Sequence, residues 1–118
     1  MITFDDFKKI EMKVGKILSA ERVEKSDKLL KLSVDFGTKE QVEDGESEQD
    51  VRQVISGIGK YFESLEALIG NQYTFVTNLE PREIMGMKSE AMIIAVSTDS
   101  AIAFFDAPEI IPPGTLAK

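Results

Sequence analysis

Between positions 30 and 36 the side chains alternate without a break: Leu30, Leu32, Val34 and Phe36 are apolar, Lys31, Ser33 and Asp35 polar. A period of two places every second side chain on the same side of an extended chain. This run is therefore a strand with one buried face and with Lys31 and Asp35 outward. A strand of this kind needs partners. Residues 12–23 read as a long, bent strand (Met12, Val14, Ile17, Val23), in which Gly15 marks a bulge or a close backbone approach. Residues 51–56, 72–77 and 91–96 supply three more, and 101–105 a further one after an Asp99-Ser100 turn.

Helical signals are short. Thr3 can cap a helix over 3–9, with Asp6 three residues on and Phe4 and Phe7 on one face. A second begins after Ser64, carries Leu65, Leu68 and Ile69, and stops at Gly70. The connection 78–90 contains Pro81 and Gly86 and reads as a structured loop with at most a helical turn, and 110–114 as an extended tail. No run is long enough to cover both faces of a parallel sheet. About five strands with a short helix between the third and fourth is the order of an all-β, five-stranded OB-fold barrel. We expect one domain over 1–118, interrupted by an acidic insert at 38–50.

Two absences narrow the chemistry. With no His among 118 residues there is no imidazole base, no Ser-His-Asp triad and no HExxH zinc site. With no Cys there are no disulfides, thiolate nucleophiles or Cys-type metal sites. Gly57-Ile58-Gly59-Lys60 imitates the end of a phosphate-binding loop, but Val54 and Tyr61 stand where Gly and Ser or Thr are required. The stretch 40–51 has Gly45 at the sixth place of a calcium loop, yet Val42 and Val51 occupy ligand positions. No catalytic constellation, metal site or cofactor site is visible, and we read the chain as a non-enzyme. The first residues carry Asp5 and Asp6 where a signal peptide needs a positive start, and 91–96 is too short to cross a bilayer. The expected location is the cytoplasm.

The formal charge of −7 is unevenly spread. Residues 40–50 hold six acids and no base, and the rest of the chain is close to neutral. Residues 8–31 hold eight bases against four acids. Local distribution decides what a surface attracts, so the basic third is the candidate face for a polyanion.

Several segments together resemble one family. They are Phe4-Asp5-Asp6-Phe7-Lys8-Lys9, Lys13-Val14-Gly15-Lys16-Ile17, Ser26-Asp27-Lys28-Leu29-Leu30-Lys31-Leu32, Ile55-Ser56-Gly57-Ile58, Asn78-Leu79, and Met85-Gly86-Met87-Lys88-Ser89-Glu90-Ala91-Met92. In this order they resemble the tRNA-binding domain found at the C-terminus of methionyl-tRNA synthetases, in free-standing bacterial tRNA-binding proteins, and in the endothelial monocyte-activating polypeptide group. The resemblance implies an OB-fold that binds tRNA by shape, alone or as an accessory to a methionyl-tRNA synthetase. It implies contacts from Lys28, Lys31, Ser56, Asn78, Lys88, Ser89 and Met92; Arg52 and Lys60 join them on charge alone. It also implies a homodimer built from the two chain ends, here Phe4, Phe7, Ile110, Ile111 and Leu116. Three features depart from the pattern: Ala91 where many members have Gly, the acidic stretch, and the net charge. A second function of a different class is a peptide-binding, chaperone-like or scaffold OB-fold dimer.

Overall fold

The computed structural model describes residues 1–38 and 48–118. The strands are β1 (Met12–Arg22), β2 (Leu30–Thr38), β3 (Gln49–Ser56), β4 (Gln72–Val76), β5 (Arg82–Ile84), β6 (Met87–Ser89), β7 (Met92–Ile93), β8 (Ala95–Ser97) and β9 (Ile102–Phe104). One α-helix, α1 (Phe4–Phe7), precedes them, and two 3-10 turns, Gly59–Tyr61 and Leu65–Ala67, lie between β3 and β4. The main sheet has the order β3-β2-β1-β4-β7 and is antiparallel throughout.

β1 makes the sheet curl. Its first half, Met12 to Lys16, pairs with β4, and its second half, Lys16 to Arg22, pairs with β2. The register slips between Ile17 and Ser19, which turns the strand from one partner toward the other. The expected bulge therefore sits at Leu18, and Gly15 serves the close approach instead. A Cβ there would lie 2.6 Å from Val34 Cγ1, 2.7 Å from Phe36 Cε1 and 2.9 Å from Phe75 Cδ1. Glycine at this point lets the Phe36 and Phe75 rings meet edge to face, with centroids 5.2 Å apart.

The alternation read in the sequence is observed. Leu30, Leu32, Val34 and Phe36 all face the core, with Ile17, Val54, Phe75 and Leu68 around them. Each such side chain contributes about 1.5–3 kcal/mol by leaving water. Leu68, the residue that follows the second 3-10 turn, is buried in this same core. That turn replaces the expected helix, and Ser64 makes no capping hydrogen bond. The capping box at α1 is present as read, with Thr3 Oγ1 accepting from Asp6 N and Asp6 Oδ2 from Thr3 N.

Three expectations need correction. The 78–90 connection is a β-hairpin, β5–β6, closed by a two-residue turn in which Met85 (φ 50°) and Gly86 (φ 79°) are both left-handed. This is the geometry of a type I′ turn, whose twist matches that of antiparallel strands. The expected fifth strand is split into β7 and β8, because Ile94 N bonds across to Thr74 O while β8 leaves to pair with β9. The expected insert is narrower than 38–50: Thr38 belongs to β2, and Gln49 and Asp50 belong to β3. Of its other acidic residues Glu48 is exposed, and Glu40, Glu43, Asp44 and Glu46 lie outside the described residues.

The tail is not an appendage. Val14 N donates to Thr115 O, Gly114 N to Val14 O and Ala117 N to Met12 O, so residues 114–117 run beside the start of β1. Gly114 (φ 90°) and Gly37 (φ 82°) lie back to back; a Cβ on Gly114 would sit 2.3 Å from Phe36 O.

Candidate nucleic-acid interface

Two connections frame the outward side of β1–β3. The first is the β1–β2 turn. Ser26 Oγ accepts from Leu29 N at 3.0 Å and from Lys28 N at 3.3 Å, and Val23 N closes the turn on Leu29 O. Lys25, with φ 67°, takes the sharp bend. Gly59 N donates to Lys28 O at 2.7 Å, and a Cβ on Gly59 would lie 2.8 Å from that oxygen. The glycine of the failed phosphate-loop motif thus holds Lys60 next to the Lys28 turn. The second connection is the β5–β6 hairpin, fastened to β3. Ile55 N donates to Ser89 Oγ (2.9 Å), Gln53 Nε2 to Lys88 O (2.9 Å) and Glu90 N to Gln53 O (2.8 Å).

Open depressions lie along this path. One, of about 480 Å³, is lined by Lys28, Lys60 and Tyr61 together with Glu63 and Asp99. The next, of about 560 Å³, runs between the β1–β2 turn and the hairpin tip and is lined by Lys25, Lys31, Glu21, Glu24, Met85 and Met87. On the far side of the hairpin a smaller one of about 50 Å³ holds Met92, Arg82, Ile84 and Leu79 above Ser89.

The expected contact residues divide into two groups. Lys28, Lys60, Lys88 and Met92 are exposed and Lys31 half-exposed. Lys60 meets Asp27 at 3.5 Å and Lys31 meets Glu21 at 2.8 Å. Both pairs are solvent-facing and contribute at most about 1 kcal/mol, so a phosphate can displace either carboxylate. Ser56 closes β3 opposite Leu30, beside the first depression. The other three spend their polar atoms on the protein itself, Ser89 buried, Arg52 half-buried and Asn78 at the surface. Ser89 is buried and spends its hydroxyl on Ile55 N and Ala91 O. Asn78 accepts from Glu11 N and donates to Lys9 O, tying β4 to the segment after α1.

Arg52 clasps Asp50 through Nε and Nη2, both at 3.0 Å, and donates to Thr77 O at 2.6 Å, with its guanidinium over the Phe36 ring. These bonds make Arg52 a brace across the barrel. Lys25, Met85 and Met87 line a groove without standing among the expected contact residues, although the Met-Gly-Met segment belongs to the family resemblance. The signal was an exposed turn lysine facing a Met-Gly-Met tip, visible as a motif but not as a groove.

Among the described residues no carboxylate cluster could hold a metal ion, and no helix is long and apolar enough to cross a membrane. An OB-like barrel whose outward face is framed by a basic turn and a hairpin is a binding module of the kind that takes oligonucleotides or oligosaccharides. Comparison with known proteins narrows this class. The family model described as "Putative tRNA binding domain" matches residues 12–116. Methionine–tRNA ligase of Caldanaerobacter subterraneus subsp. tengcongensis is 38% identical over 114 residues, covering 97% of this chain and 16% of the ligase. That of Clostridium acetobutylicum is 41% identical over 119 residues, covering 99% of this chain and 17% of the ligase. The chain thus spans a small fraction of these relatives' length. The MetRS-related protein of Pyrococcus horikoshii superposes with a TM-score of 0.83 at 31% identity, over 100% of this chain and 98% of that one. The chaperone CsaA of Bacillus anthracis superposes at 0.77 and 27% identity, over 100% and 99%. The chain belongs to the tRNA-binding-domain family related to methionyl-tRNA synthetase.

Proposed function

We propose that this chain is a non-catalytic, structure-specific tRNA-binding module acting in the cytoplasm, alone or as an accessory to methionyl-tRNA synthetase. The observation that carries the reading is the family match over 12–116, which takes in every strand of the barrel together with the basic turn and the hairpin. Lys28, Lys31, Lys60 and Lys88 neutralise phosphates, and Met92 offers a soft apolar surface to a ribose or base. Arg52 and Ser89 support this face from beneath, and Asn78 secures its edge. Four phosphate contacts on irregular RNA give a slope of log affinity against log salt of about −3. Titrating tRNA at several salt concentrations tests this; a flat response, or a strong preference for one tRNA sequence, overturns it.

The likeness to a chaperone supports a second reading, in which the same face grips peptide. An unfolded polypeptide titrated against the same sample separates the two: saturable binding of polypeptide with none of tRNA favours the second.

The module works as a homodimer in this proposal. α1 has only four residues and buries none of them, and Phe4 is 72% exposed. Ile110 is 84% exposed, and Phe7 and Leu116 are also open. So short a helix is unstable without apolar surface to cover it, and a twofold pairing would bury both ends on the same patch of each subunit. Two basic faces on one particle raise the effective affinity for one large RNA.

A further inference from the structure

Among the described residues, Lys25 and Met85 alone hold a left-handed backbone without being glycine. That conformation is unfavourable for any L residue. Both residues line the same groove, Lys25 on the β1–β2 turn and Met85 on the hairpin tip. Neither is there to pack a core, since both are exposed. A type I′ turn favours Asn, Asp or Gly where Met85 stands. Strained residues of this kind concentrate at ligand clamps, where the surrounding fold holds them in place.

Resting on the tRNA-binding reading, we propose that this groove is a subsite for one unpaired nucleotide of the bound RNA, its base against Met85 and Met87 and its phosphate on Lys25. The groove volume, about 560 Å³, falls in the range of small-ligand sites. Thioethers are polarisable and flexible, so they lie against the flat face of any base without reading its edge. Bases within an A-form helix are stacked and out of reach, so methionines on an open groove meet a base only when it is splayed out. Lys25 has no ion-pair partner among the described residues. Lys31 is held by Glu21 at 2.8 Å, and Arg22 donates to the carbonyls of Gly59 and Phe62. Glu24 also faces the groove. With Glu21 and Glu24 also lining it, the groove takes one base with its phosphate on Lys25, beside the phosphate that reaches Lys31 by displacing Glu21, rather than a run of phosphates.

The test uses the full chain with methyl-labelled methionine. On addition of tRNA, or of a two-stranded RNA duplex carrying a single-nucleotide bulge, the Met85 and Met87 methyl resonances move upfield from the ring current of a stacked base. The same duplex without the bulge, blunt-ended and fully paired, leaves them in place at equal salt. Met85→Asn relieves the turn, so it melts at the parent temperature or above, yet binds tRNA about threefold to tenfold more weakly with an unchanged salt slope. With Lys25 as a fifth phosphate contact the parent slope steepens to about −3.5, and Lys25→Ala brings it back to about −2.8. Parent-like tRNA affinity in Met85→Asn, or methyl resonances unmoved by bound tRNA, overturns the subsite and leaves the tRNA-binding reading standing. Absence of tRNA binding by the parent overturns both.

Discussion

Replacing Arg52 tests whether this cation is a brace or an RNA ligand. In Arg52→Met the Asp50 carboxylate loses both of its guanidinium bonds, Thr77 O loses its donor, and Phe36 loses the cation over its ring. Removing one partner of a buried pair costs about 3–5 kcal/mol, because the charge left behind is unpaired. The side chains here are 9% and 20% exposed, so water reaches the pair in part and the lower end applies, about 3 kcal/mol. For a domain of this size 1 kcal/mol moves the melting temperature by roughly 4 °C, so Tm should fall by about 12 °C. Exchanging both members, Asp50→Leu with Arg52→Met, removes the stranded charge. It should return to within about 5 °C of the parent, short of it mainly by the Thr77 carbonyl. Thermal melts by circular dichroism read all three proteins, and tRNA titration well below the lowest Tm reads binding. The expected pattern is a large loss of stability with affinity within about twofold. A single variant that melts within about 2 °C of the parent but loses tRNA binding would refute the brace.

Gly15→Ala places a methyl against three buried side chains and should cost about 1–3 kcal/mol, read by urea denaturation; no change would mean that β1 can shift away. Replacing residues 40–47 by a short turn, which keeps Gln49 and Asp50, should leave Tm nearly unchanged and tighten tRNA binding modestly. Weaker binding would make the acidic stretch a contact surface. Light scattering at micromolar concentration should give a dimer mass for the intact chain and a monomer for Phe4→Asp with Ile110→Asp. Deleting 110–118 is a poor test of the interface, since it removes the segment bonded beside β1 and the Ile111 O that accepts from Gln72 Nε2.

The barrel was legible because its strands are patterned locally. Leu30 to Phe36 declares its buried face residue by residue, and the capping box at Thr3 closes over three residues. The hairpin was not legible because its turn carries Met85 where a hairpin signal is Asn, Asp or Gly. Arg52 looked like one more surface cation; Asp50, two residues away, was read as part of the acidic insert, and its other partner, Thr77, is 25 residues downstream. Ser89 carried the right motif with its hydroxyl turned inward. The groove between Lys25 and Met85 joins segments 60 residues apart, a distance that periodicity does not span.

The lacing of residues 114–117 onto β1 has a consequence for how the chain is made. Lys13 is bridged to Leu116, so β1, made before the other strands of this domain, waits for residues 114–117 before its edge is covered. Contacts so distant in sequence form late and slow folding. Until they form, the start of β1 presents unpaired backbone groups, the template for pairing with another nascent chain. A chain stopped before residue 114 keeps that edge open for good. Such fragments should collect as aggregates, whereas fragments with changes confined to the acidic stretch should not.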